Sequence, residues 1–188
     1  MSHTSSDGGL QIESPLSSAP PVRAAIGLGQ TASAQSAEAL NRLLAHTMAM
    51  CDLYQKVYQQ THGATFHELH RLFDKHHGEQ AEIRDSLAGR VQALGGVALV
   101  SLSDVTQESR FAAAPPTPER VVDQLRRLVY AHGIVLEEAR QLSQAAIDRG
   151  DSATNDLIVS EVVLTNELQC WFIAEHLMVR DHEAGAIK

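Results

Sequence analysis

From Ser36 onward, apolar residues recur three and four positions apart in four successive stretches, and the breaks between them run short, long, short. A period near 3.6 marks amphipathic helices, each with one face to bury. The first stretch, helix A, carries Leu40, Leu43, Leu44, Thr47, Met50, Cys51, Tyr54, Val57 and Tyr58 and is predicted to end near His62 and Gly63. Thr65 and Glu68 form a candidate capping box for helix B, whose seam of Phe66, Leu69, Phe73, Ile83, Leu87, Val91 and Leu94 runs to Gly95 and Gly96. The pattern weakens from 97 to 116, where residues 103–109 can form a short crossing helix. Thr117 and Pro118 are expected as N-cap and first residue of helix C, with a seam of Val121, Leu125, Leu128, Val135, Ala139, Leu142 and Ala146 ending at Gly150. Ser152 or Thr154 opens helix D, which carries Leu157, Ile158, Val162, Leu164, Leu168, Trp171 and Phe172 to about Arg180. Trp171 and His132 lie on these seams and are expected inside, His132 as a satisfied interior histidine. Four long helices joined in this way describe an all-α four-helix bundle with a long B to C crossover carrying a short helix.

Residues 1–34 are rich in Ser, Gly, Pro and Ala and show no sustained period, so a tail is expected there, with the bundle over 35–180 and a short tail at 181–188. The formal net charge of -8 and the single tail arginine, Arg23, argue against direct DNA binding, which needs a basic surface. Cys51 and Cys170 match no metal-binding or redox spacing and are expected as reduced core thiols. No signal peptide or membrane span is expected, which suits a cytoplasmic protein without nucleoid association.

Helix B has a second stripe beside its apolar seam: His67, His70, Asp74, His77 and Asp85. Imidazole and carboxylate at helical spacing favour a divalent transition metal, with iron or zinc suited to nitrogen and oxygen donors. His70 and Asp85 are fifteen residues apart, roughly 22 Å along a helix at 1.5 Å per residue, so they cannot share one ion within a chain. Two copies of helix B packed antiparallel across a twofold axis would bring His70 of one chain to Asp85 of the other, forming two equivalent sites. His77 then sits beside the dyad. The intrabundle di-iron pattern, Glu on two helices and Glu-x-x-His on two others, has no matching set here; its nearest fragment is Asp74-x-x-His77.

Taken in order, LNRLLAHT, GATFHELHRLFDKHHGEQ, RVQALGG and NDLIVSEVVLTNELQCWFIAEHL resemble the Dps mini-ferritins, the DNA-binding proteins from starved cells, over about Ala25 to Leu177. The resemblance implies a ferritin-like bundle assembled as a homo-oligomer, a dodecameric shell with twofold interfaces through helices A and B. It also implies Fe(II) oxidation by hydrogen peroxide at ferroxidase centres between twofold-related chains. It further implies that ferric mineral is stored inside, against oxidative damage in starvation. Carried across by position, the early helix B ligands match His70 and Asp74, and the partner's aspartate matches Asp85.

Two positions depart from the family pattern. Tyr58 and Gln59 stand where a histidine and a tryptophan are usual late in helix A, and Gly89 stands where a glutamate is usual late in helix B. Substitute donors are His62, His67, His77, Glu82 and His176, the last expected to approach the end of helix A, and Tyr58 itself through its phenol oxygen. The expected function is therefore iron storage with a ferroxidase centre of altered composition, with zinc able to occupy the same donors. The alternative is a shell or metal-binding paralogue without ferroxidase activity, with a structural or co-assembly role.

Overall fold

Each predicted seam becomes one helix. A computed structural model describes residues 26–63, 66–99, 115, 117 and 119–186, the last few as backbone only. Helix α1 spans Gln30–Gln60, α2 Phe66–Ala93 and α3 Val121–Asp148. Helix α4 opens as Ser152–Leu157, widens through a π-helical turn at Ile158–Val163, and continues as Leu164–Ala186. The candidate crossing helix at 103–109, Thr65 of the capping box, Pro118 and residues 1–25 of the tail lie outside the described residues.

Boundaries differ from periodicity in physically simple ways. Helix α1 begins six residues before Ser36, inside the segment expected as tail, because Ser33 and Ser36 are small enough to be buried there. Helix α3 begins at Val121 with Arg120 at the N-cap, and no side chain caps it, so Thr117 is not its N-cap. Helix α4 runs past Arg180 to Ala186.

Between α1 and α2 the chain turns through Thr61, whose backbone N–H and hydroxyl both donate to the Val57 carbonyl, at 3.0 and 2.6 Å. Helix α2 stops at Gly95, φ 81°, and Gly96 donates back to the Val91 carbonyl at 3.0 Å. A Cβ on Gly96 would stand 2.8 Å from the Ala37 Cβ, so this end of α2 sits directly on α1. At the same end of the bundle, Asp151 caps α4 by accepting from the Thr154 N–H at 3.2 Å. Arg90 of α2 grips this cap, donating to Asp151 Oδ1 at 2.6 Å and to Thr154 Oγ1 at 2.9 Å. Asn41 anchors the start of the crossover, donating to the Val97 carbonyl at 2.9 Å and accepting from the Leu99 N–H at 3.1 Å.

The core gathers the predicted seam residues of α1, α2 and α3, among them Leu40, Leu43, Leu69, Phe73, Leu87, Leu125, Leu128 and Val135. Helix α4 departs from expectation. Its inward residues are Ile158, Val162, Asn166, Gln169 and Ile173, while Leu164, Leu168, Trp171 and Met178 face outward and Trp171 is 54% exposed. Trp171 is thus not a core residue, because α4 is apolar on two sides and its inner face carries two amides. Cys51 is buried as expected, and Cys170 is only half-buried. By length and composition Ser152–Met178 could cross a membrane; in the fold it forms one wall of the bundle.

Candidate metal centre

At 100° per residue, His67, His70, Asp74, His77 and Asp85 fall within an arc of roughly 80° on α2, beside the core face rather than on it. The helix is unbroken across all five, so the separation of His70 and Asp85 holds at roughly 22 Å. His67, Asp74 and Asp85 are exposed, and His70 and His77 are half-buried. Tyr58 of α1 covers His70, ring centroids 4.0 Å apart at 38°. Asp85 is held by its neighbour Arg84, which reaches Oδ1 at 2.9 Å. Among the described residues, no three His, Cys, Asp or Glu side chains converge within one chain.

The substitute donors scatter. His62 is exposed in the turn after α1, its Nδ1 2.5 Å from the Gln60 carbonyl oxygen. Glu82 is exposed on α2, one turn from Asp85. His176 is half-buried on α4, close enough to His76 for its charge to act there.

The bundle centre is polar, and periodicity alone missed it. Asn166 donates from Nδ2 to the Val162 carbonyl at 2.7 Å, which turns its Oδ1 toward Gln80 Nε2 at 3.0 Å and His132 Nδ1 at 2.8 Å. The reverse amide orientation would set donor against donor. His132 therefore carries its proton on Nδ1 and accepts on Nε2, where the Tyr54 hydroxyl donates at 2.6 Å. The same phenol oxygen then accepts from His76 Nδ1–H at 3.1 Å. Gln80 also donates to Gln169 Oε1 at 2.9 Å, and Gln169 donates to Glu79 Oε2 at 2.8 Å. Burial lowers the His132 pKa from 6.5 to about 3. Burial, aided by the charges of Lys75 and His176, lowers that of His76 to about 4. Burial also pushes the Tyr54 phenol well above 10, with Cys170 and Glu79 adding to the effect. At neutral pH Tyr54, His76 and His132 are therefore all uncharged. A signal for it was present: His76 and Gln80 fill the gap between Phe73 and Ile83, and Asn166 and Gln169 that between Val162 and Ile173, at helical spacing.

The ferritin-like domain family matches residues 37–180. A solved structure, DpsC from Streptomyces coelicolor, superimposes with a TM-score of 0.80 at 44% identity, covering 81% of this chain and 88% of its own. The chain belongs to the ferritin-like family, in its Dps mini-ferritin branch. Another member, the nutrient stress-induced DNA-binding protein of Synechococcus, is 28% identical over 81% of this chain and 86% of its own length. A Dps structure from Vibrio cholerae, described as one of the ferritin-like diiron-carboxylate proteins, aligns with a TM-score of 0.77 at 25% identity over 86% and 99% of the two chains. The Dps branch is one of iron binding and storage with protection from oxidative damage.

The two positions expected to differ from the Dps pattern have definite surroundings. Tyr58 lays its ring against that of His70. Gly89 is exposed on α2, and a Cβ placed there meets nothing within 4 Å. The donors on α2, an imidazole and a carboxylate one turn apart and a second carboxylate further along the helix, are nitrogen and oxygen groups of the kind that iron and zinc accept.

Proposed function

We propose that this Dps-type chain oxidises and stores iron at sites shared between twofold-related subunits, with His70 and Asp74 from one chain and Asp85 from the other. One observation carries the reading: these donors lie on a single arc of one unbroken helix, yet too far apart for one chain to close a site through them alone. Antiparallel pairing of two α2 helices about a point between His77 and Gly78 joins opposite ends of the arc. Each of two Fe(II) ions gives up one electron, and hydrogen peroxide accepts both, with two protons, leaving as water. Zinc, which has no such redox step, would hold the same donors and inhibit. His77, beside the dyad, is the first substitute donor, followed by Tyr58, His62, His67, Glu82 and His176.

The assembly is a homo-oligomeric shell, a dodecamer by family resemblance, acting in the cytoplasm. Its acidic chains are expected not to retard DNA at neutral pH and moderate salt, so protection comes from removing iron and peroxide. A second reading, a shell without ferroxidase activity, is favoured by two observations: Asp85 is already paired to Arg84, and Gly89 offers no carboxylate.

Mixed assembly separates a shared site from a site within one chain. His70→Ala and Asp85→Ala should each abolish rapid iron oxidation. Shells refolded from an equal mixture should regain about a quarter of the sites, because a site is intact only where each chain supplies its unaltered half. No recovery in verified mixed shells would rule out sharing. Wild-type oxidation no faster than buffer would leave the second reading.

A further inference from the structure

The Tyr54 hydroxyl is fully buried and donates a 2.6 Å hydrogen bond to an imidazole nitrogen whose opposite N–H is already held by Asn166. We propose that Tyr54 and His132 form a proton-coupled one-electron donor at the bundle centre, which discharges oxidants of the hydroxyl-radical class. The oxidant takes one electron from the phenol and becomes hydroxide. The Tyr54 O–H bond breaks, and its proton passes to His132 Nε2 along the existing hydrogen bond. A neutral phenoxyl radical and an imidazolium remain, and an electron from Fe(II) with return of the proton restores both.

Three features of the network fit this step and are not needed for packing alone. First, proton transfer strands no donor. His132 would then donate from Nδ1 to Asn166 Oδ1 and from Nε2 to the Tyr54 oxygen, which still accepts from His76. Second, Gln80 Oε1 is buried with no donor among the described residues, so the network has acceptor capacity to spare when it gains positive charge. An oxidised phenol is a very strong acid, so even an imidazole made less basic by burial takes its proton. Third, the buried ring has an aromatic route outward. Tyr54 lies 5.5 Å from His76, His76 lies 6.4 Å from Phe172, and Phe172 lies 4.9 Å from Trp171, centroid to centroid. Trp171 is exposed, so the oxidant need not enter the core.

The test uses the full chain without iron, so its outcome is independent of the ferroxidase reading. A photogenerated ruthenium(III) tris-bipyridine oxidises the protein, and freeze-quenched samples are followed by electron paramagnetic resonance. The chain has only three tyrosines, Tyr54, Tyr58 and Tyr130. A tyrosyl signal should appear in wild type, persist in the Tyr58→Phe/Tyr130→Phe double variant, and vanish in Tyr54→Phe. His132→Gln keeps an acceptor but no useful base, and should slow radical formation roughly 100-fold, the scale of a lost proton-transfer group. Formation in wild type should also slow in deuterium oxide. Loss of the signal in the double variant, its survival in Tyr54→Phe, or wild-type kinetics in His132→Gln would overturn the proposal. If Tyr54→Phe does not fold, the double variant decides, since both of its changes lie on the surface.

Discussion

Acid should loosen this bundle well before its carboxylates protonate, and His132 sets the scale. In the folded chain its pKa is about 3, against 6.5 unfolded. Above pH 6.5 both states are neutral there and the contribution to stability is complete. As pH falls below 6.5 the unfolded chain takes up a proton that the folded chain refuses, so stability declines until the folded pKa is reached. At pH 4.5 the loss from this residue is about 3 kcal/mol, from 1.36 kcal/mol per unit over two units. His76, with a folded value of about 4, adds a loss of similar size over the same range. His132 is hydrogen-bonded to Tyr54 and Asn166, and the charge of His76 acts in the same direction as burial. The assay is urea unfolding at fixed subunit concentration from pH 7.5 to 4.5, for wild type and His132→Gln. Glutamine accepts from Tyr54 but does not titrate, so the variant should start less stable and lose about half as much on acidification. Equal pH slopes in the two proteins would refute a neutral, buried His132.

Further predictions address the candidate site and the packing. Gly89→Glu should fit without strain and stabilise α2 by about 0.5 kcal/mol or more, because a mid-helix glycine costs that much. Where the shared site is active, the same change should speed iron oxidation in stopped-flow absorbance. Gly96→Ala should cost about 1–3 kcal/mol in denaturant melts, since its methyl would press on Ala37. Arg90→Ala leaves the Asp151 carboxylate, 2% exposed, without its cation; a loss of about 3 kcal/mol and early opening at that end should appear in hydrogen exchange.

The helices were legible because three of them bury one continuous stripe, and Leu40, Leu87 and Leu128 fall where spacing puts them. Trp171 was not. Helix α4 has apolar residues on both sides, and only packing against α2 and α3 decides that Asn166 and Gln169 turn inward. His132 is recognisable as an interior histidine, but its partners Tyr54 and Asn166 are 78 and 34 residues away, beyond any local pattern. The α2 stripe was readable for the opposite reason: all its members share one helix, so helical rise alone separates His70 from Asp85. Helix α3 starts at Val121 behind Arg120 and without a side-chain cap, so the Thr117 signal did not mark its beginning.

The unbroken run of α2 from Phe66 to Ala93 also has a mechanical consequence. In the proposed antiparallel pair, each helix is a stiff rod with one half-site near either end. Sliding one rod against its partner displaces His70 from the facing Asp85 by the same amount at both sites. Neither can be adjusted alone. Metal entering one site would set the register for the other, and a substitution beside the dyad at Gly78 would detune both together, as moving a fulcrum shifts both arms of a balance.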